Sequence, residues 1–226
     1  MSLKRQEVAR LIEHTMLKAE AGPADIERLC REALEYGFYG VCVNPWLVPT
    51  AVQQLSGSGL KVVTVIGFPL GASTTRVKVE EAREAVAQGA RELDMVINLG
   101  ALKAGCKELV VEEIRQLVAA VEGKALVKAI IETGLLTDEE KEEACRAAVA
   151  GGAAMVKTST GFGPGGALPS DVSLMRAVVG PELGIKASGG IRKLARLREL
   201  VQAGASRIGT SSGVQIMQEF SRGDGH

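Results

Sequence analysis

Histidine is scarce in this chain. Of its 226 residues only His14 and His226 are histidines. No set of imidazoles is left for a zinc centre, and a Ser-His-Asp triad has only His14 to draw on. The chemistry must therefore rest on Lys, Asp, Glu, Cys or hydroxyl groups. Cysteine is also sparse. Cys30, Cys42, Cys106 and Cys145 are scattered without a CxxC pair, which reads as reduced thiols in a cytoplasmic protein. No apolar run approaches the ~18 residues of a membrane span. The start, Met-Ser-Leu-Lys-Arg-Gln-Glu, has no apolar core of a signal peptide, so none is expected. Neither sign of charge dominates, with 27 basic and 27 acidic residues. That balance argues against nucleic acid or a membrane surface as partner. No linker, low-complexity tract or composition break divides the chain. Residues 1–226 are therefore expected to form a single domain.

What the chain does have is alternation. Short apolar runs, rich in Val and Ile, recur at Leu11–Thr15, Gly40–Asn44, Lys61–Ile66, Glu92–Ile97, Ala125–Glu132, Ala154–Thr158, Gly184–Ser188 and Arg207–Gly209. Nearly continuous apolar runs suit parallel strands covered on both faces. Amphipathic stretches separate them: Ala24–Tyr36, Pro45–Leu55, Ser73–Gln88, Lys107–Glu122, Thr137–Ala150, Leu168–Val179 and Arg192–Ala203, with Ser212–Ser221 last. Thr137-Asp-Glu-Glu140 reads as a capping box. Tyr36-Gly37, Gln88-Gly89, Ala150-Gly151 and Ala203-Gly204 read as glycine stops. Eight strand–helix units predict an α/β fold, a (β/α)8 TIM barrel, with Leu3–Ala9 as a short extra N-terminal helix over its bottom. An open doubly wound sheet is the alternative. It calls for a glycine-rich loop after the first strand, where this chain has His14-Thr-Met-Leu-Lys18.

In a barrel, chemistry gathers at the C-terminal ends of strands. Two lysines stand there. Lys157 ends an apolar run in Met155-Val-Lys-Thr-Ser-Thr-Gly161, and Lys186 ends another in Gly184-Ile-Lys-Ala-Ser-Gly-Gly190. A buried lysine is costly unless paired or neutralised. Two at equivalent places suggest that one lowers the pKa of the other, which makes an amine nucleophilic towards a carbonyl near neutral pH. Asp94, on an apolar strand, needs a cationic partner, and Lys128 on the fifth strand is one candidate. Glu132 has two readings: it polarises a lysine, or it caps the next turn. Cys42 reads first as a small core residue. The charged run Arg76–Arg83 reads as a solvated helix face. Ser188-Gly-Gly-Ile-Arg192 and Gly209-Thr-Ser-Ser-Gly213 each leave a strand and enter a helix, with glycines that let backbone N–H groups approach an anion. In the seventh and eighth units that pairing points to a phosphate.

These residues together resemble the deoxyribose-phosphate aldolase family, over essentially the whole chain. The most specific motifs are Glu92-Leu-Asp-Met-Val-Ile-Asn98, Val156-Lys-Thr-Ser-Thr-Gly-Phe162 and Ile185-Lys-Ala-Ser-Gly-Gly-Ile-Arg192, with Val41-Cys-Val-Asn-Pro45 and Lys128-Ala-Ile-Ile-Glu-Thr133 in support. The resemblance implies a class I aldolase without metal or other cofactor. It implies reversible cleavage of 2-deoxy-D-ribose 5-phosphate to D-glyceraldehyde 3-phosphate and acetaldehyde. It implies Lys157 as the Schiff-base lysine, Lys186 as the charge that tunes it and Asp94 as the proton relay. Contacts to substrate or its phosphate are expected from Thr15, Cys42, Lys128, Thr158, Gly161, Gly189, Gly190, Arg192, Gly209, Ser211 and Ser212. A homodimer or homotetramer is expected. The chain departs from the pattern in two places: Glu13 stands where many relatives carry Asp, and the end, Arg222-Gly-Asp-Gly-His226, lacks the tyrosine some relatives have. A Schiff-base aldolase of another phosphosugar, and a non-catalytic phosphosugar-binding protein, are the rival expectations.

Overall fold

The computed structural model describes residues 3–223. His226 and the tyrosine-free end at 224–226 lie outside them. Eight parallel strands close into a barrel in chain order. They are β1 (Ile12–Met16), β2 (Gly40–Val43), β3 (Lys61–Ile66), β4 (Glu92–Val96), β5 (Leu126–Ile130), β6 (Met155–Lys157), β7 (Gly184–Ser188) and β8 (Arg207–Thr210). The ring closes where β1 pairs with β8, Glu13 opposite Gly209. The expected (β/α)8 TIM barrel is the fold.

The helices are α1 (Arg5–Leu11), α2 (Pro23–Tyr36), α3 (Val48–Gln54), α4 (Thr75–Ala87), α5 (Leu99–Lys103), α6 (Lys107–Ala120), α7 (Asp138–Ala150), α8 (Pro169–Val179), α9 (Leu194–Gln202) and α10 (Gly213–Gly223). The extra N-terminal helix α1 begins and ends two residues later than expected and leads directly into β1. Thr137 caps α7 as its sequence predicts: its hydroxyl accepts from Glu140 N at 3.3 Å, and Glu140 accepts from Thr137 N at 2.9 Å. The short helix α5 is not foreseen by the periodicity. Asn98 starts it, its side chain accepting from Ala101 N at 3.0 Å. The Pro45–Leu55 stretch splits into a 3-10 turn over Pro45–Leu47 and then α3.

Two cores result from strand alternation. Outward residues such as Val41, Val62, Leu93, Val127, Val156, Ile185 and Ile208 join the helices in one large apolar layer. Inward residues Cys42, Val63 and Val65, with Leu17, form a small apolar cluster on one side of the barrel interior. The opposite side of the interior is charged. The Arg76–Arg83 run corrects its reading at one residue. Lys78 is fully buried, pairs with Glu113 at 2.8 Å and donates to Val96 O at 2.8 Å. The helix turns this one lysine inwards, where it ties α4 to α6 and to the end of β4.

Candidate active site

A strand's side chains alternate between its two faces. Glu13, Glu92, Asp94, Lys128, Lys157, Lys186 and Arg207 all fall on the inner face and meet there. Asp94 is the hub. Its Oδ1 accepts from Lys128 at 2.9 Å, and its Oδ2 from Lys157 at 2.7 Å and Lys186 at 2.6 Å. Glu13 accepts from Lys128 at 2.8 Å, from Arg207 at 2.9 Å and from Lys186. Glu92 pairs with Lys128 at 2.6 Å and Arg207 at 3.4 Å, and accepts the Tyr39 hydroxyl. The Arg207 guanidinium lies 3.2 Å from the centre of the Tyr39 ring.

Within this cluster four cations face three carboxylates. All three carboxylates and all three lysines are buried. An uncompensated charge is expensive there, so the excess cation lowers the proton affinity of one amine. The contacts select which one. Lys128 touches three carboxylates and Lys186 two, whereas Lys157 touches only Asp94. Lys157 is accordingly lowered from the ordinary lysine value. Burial is the main cause, Asp94 opposes it, and the Lys186 charge adds to it. The cationic neighbour thus contributes as the sequence suggests, but desolvation comes first. Burial acts on Lys186 and Lys128 too, yet Asp94 and Glu13 outweigh it and hold both above the usual value.

The carboxylates are shifted the other way. Burial alone would raise Asp94, but Lys128, Lys157 and Lys186 hold it well below its usual range. Glu13 is held at about 2 against its burial, mainly by Lys128 and Lys186. In the unfolded chain Glu13 returns to the ordinary 4.5. The unfolded state then binds more protons between these values, so stability is full above 4.5 and is lost as pH falls towards 2. Asp94 acts in the same direction. The urea midpoint is expected to fall steadily from about pH 5 to about pH 3. A flat midpoint there would remove this network from the protein's acid stability.

A cleft of about 270 Å³ opens at the C-terminal ends of the strands. Lys157 is the one charged member of the ion network that lines it; Asp94 and Lys186 lie beneath. Thr15, Gly161, Gly189, Gly190, Arg192, Gly209 and Ser211 also line it, with Lys18, Thr160, Phe162 and Thr210. Gly189 and Gly190 have φ of +94° and +73°, a backbone that other residues rarely adopt. Gly209 has another use. A Cβ there would sit 2.9 Å from Lys186 Cε, so its bare backbone makes room for that lysine. Thr210 bridges two loops, donating to Ile191 O at 2.6 Å and accepting from Ser212 N at 2.9 Å.

Four expected substrate contacts are not on the cleft wall. Cys42 is buried in the inner apolar cluster, and burial pushes its thiol up to about 11, which keeps it inert. Thr158 commits its hydroxyl to the backbone of Ser188, donating to O and accepting from N, both at 3.1 Å. Ser212 gives its N–H to Thr210. Lys128 is locked among three carboxylates below. Glu132 touches no lysine. Its carboxylate accepts from Thr160 N at 3.2 Å and from the Thr160 hydroxyl, which in turn accepts from Phe162 N at 3.0 Å. It therefore shapes the loop that follows Lys157. Glu92, Arg207 and Tyr39 escape a reading of the sequence, because they sit at or before strand starts, away from the end where chemistry is sought. The two-residue spacing of Glu92 and Asp94 is the available signal, since it places both on one face. Among the described residues, no group of three His, Cys, Asp or Glu side chains is placed to hold a metal ion.

Comparison with known proteins agrees with this geometry. A family model described as DeoC/LacD family aldolase matches residues 9–219. The chain is 57% identical over 211 residues to a deoxyribose-phosphate aldolase of Geobacillus sp. (strain WCH70), covering 93% of this chain and 95% of that one. It is 58% identical over 212 residues to that of Lysinibacillus sphaericus (strain C3-41), covering 94% and 95%. Among solved structures, the tetrameric deoxyribose-phosphate aldolase of Aeropyrum pernix superposes with a TM-score of 0.90 at 35% identity, covering 96% of this chain and 92% of that one. An aldolase called QR15 also superposes with a TM-score of 0.90, at 42% identity, covering 95% and 96%.

Proposed function

Because the chain belongs to the DeoC/LacD family and is an aldolase, we propose that it cleaves 2-deoxy-D-ribose 5-phosphate reversibly to D-glyceraldehyde 3-phosphate and acetaldehyde, with Lys157 as the covalent nucleophile. One observation carries this reading. Lys157 alone in its charge network reaches the cleft, and it is the amine whose surroundings favour the neutral form.

The neutral Lys157 amine adds to the C1 aldehyde and expels water to give an iminium. Deprotonation of the C3 hydroxyl breaks the C2–C3 bond, and its electron pair flows into the iminium as an enamine. Glyceraldehyde 3-phosphate leaves. Protonation of the enamine at C2 and hydrolysis of the new iminium release acetaldehyde and restore the amine. The protons need a carrier. Asp94 Oδ2 lies within hydrogen-bonding distance of both Lys157 and Lys186, so a proton passes between the two amines through one oxygen. The low proton affinity of Asp94 means that it hands the proton on rather than holding it. The phosphate end goes to Gly189, Gly190, Arg192 and Ser211 at the mouths of β7 and β8.

The chain is proposed to work as one barrel domain, in a homodimer or homotetramer, within the cytoplasm. The tetrameric Aeropyrum pernix relative supports assembly. The free thiols of Cys30, Cys42, Cys106 and Cys145 suit a reducing compartment. Acetaldehyde with sodium borohydride is expected to leave a two-carbon adduct on Lys157, read by peptide mass spectrometry. A label on another residue, or none on protein that turns over substrate, rejects the mechanism.

A further inference from the structure

The charge network does not end at the reacting amine. It runs down the barrel from Lys157 through Asp94, Lys128 and Glu13 to Glu92 and Arg207 at the strand starts. Arg207 is the fourth cation. Its guanidinium stays charged at any working pH, whereas a lysine can release its proton. We propose that Arg207, at the opposite end of the barrel from the cleft, sets the proton count of the three lysines and thereby keeps Lys157 uncharged. Arg207 touches neither Lys157 nor the cleft, so it is a positioning residue that acts through Glu13 and Glu92. This inference rests on Lys157 being the nucleophile.

The physical basis is a count of charges in a closed space. Glu13, Glu92 and Asp94 supply three negative charges. Arg207 takes one share of them permanently. Two protonated lysines balance the rest, and Lys128 and Lys186 hold the stronger carboxylate contacts. Lys157 is the third lysine and the one left over. Without Arg207, three lysines face three carboxylates, and all three can be protonated at no cost in net charge.

The groups facing Lys157 are Cys42 on β2, Asp94 on β4 and Lys186 on β7, with Lys128 on β5 joined through Asp94 and Glu13 on β1 through Lys186. The apolar Val63 and Val65 of β3 add no charge. Lys18 and Arg192 at the cleft rim are solvent-exposed. Glu132 is engaged by Thr160, and Lys78 is compensated by Glu113 outside the barrel wall. All of these are common to the parent and to variants at Arg207 and Glu92, so they cancel when those proteins are compared.

The test uses charge compensation. The pH profile of kcat/KM for deoxyribose 5-phosphate cleavage reports the free enzyme's ionisations, and the pH dependence of cyanoborohydride trapping of acetaldehyde at Lys157 is read beside it. Arg207→Met should move the acid limb of both upward by about one pH unit. Glu92→Gln removes a negative charge and should move the limb downward. The double variant again has one excess cation and should return to the parent profile. A purely structural role for Arg207 predicts lower activity in each variant with the limb unmoved. Equal limbs in the parent, Arg207→Met and Glu92→Gln proteins overturn the proposal, as does a double variant that fails to return. If Arg207→Met alone does not fold, the opposed expectations for Glu92→Gln and the double variant still decide it. Failure of the nucleophile assignment looks different: the parent protein itself would show no adduct at Lys157 at any pH.

Discussion

Lys157→Ala abolishes turnover, with a loss of at least roughly 10⁴-fold, because no second amine can take its place. Lys186 and Lys128 are the nearest alternatives. Both are pinned by two or more carboxylates, both are held protonated, and neither lines the cleft. The substitution also has an expected effect on the fold. With Lys157 gone, three cations face three carboxylates and the network is balanced. The variant should therefore fold and unfold at a urea concentration no lower than the parent. Turnover, adduct formation and urea midpoint measured together separate the outcomes. Residual turnover within a hundredfold of the parent on well-folded protein would place the nucleophile elsewhere.

Asp94→Asn is expected to be the most damaging change of a single atom type in the barrel. It leaves four cations with two carboxylates and removes the one group that contacts all three lysines. Breaking a buried ion pair from one side costs about 3–5 kcal/mol. The urea midpoint should drop accordingly at neutral pH. Turnover should fall by roughly 10²–10⁴-fold, the range for a lost acid–base group, since the proton path between Lys157 and Lys186 is cut at its shared oxygen. The two losses have separate readouts, chemical denaturation and initial rate on the folded fraction. Parental stability in the Asp94→Asn variant would show that the three lysines do not depend on this carboxylate.

The contrast between these substitutions shows how far the sequence is legible. Lys157, Lys186 and Asp94 stand out because a charged residue inside an apolar strand demands a partner. The loops after β7 and β8 stand out because glycine, serine and a following helix are a local pattern. The strands β3 and β7 are legible to the residue, since Val-rich or Ile-bearing runs bounded by polar turns define them without reference to the rest of the chain. Helix α5 is not legible. Five residues started by one asparagine carry too little periodicity to register. Lys78 deceives for a related reason. A charge run marks a solvated face only on average, and the one lysine that the helix turns inwards meets Glu113, thirty-five positions away.

Arg207 and Glu92 belong to the same class. The only local signal is the two-residue spacing of Glu92 from Asp94; Arg207 has none, and both lie at the end of the barrel where chemistry is not sought. Cys42 and Thr158 show a different limit. Each adjoins the right motif, yet strand alternation sends one into the apolar half of the interior, and hydrogen bonding ties the other to Ser188.

The amino-acid sequence by itself determined the barrel and the family, and brought Lys157 and Lys186 forward as the candidate lysines. Those follow from patterns within a few residues: apolar runs in strands, glycine at turns, lysine at a strand end. Tertiary structure alone decided which amine has its proton affinity lowered. That choice depends on how many carboxylates surround each lysine, and the carboxylates come from β1 and β4, as far as 173 positions along the chain from Lys186. Coulomb energy in a closed interior depends on distance through space. Only closure of the barrel brings Glu13, Glu92, Asp94 and Arg207 to the three lysines and leaves Lys157 as the one with a proton to lose.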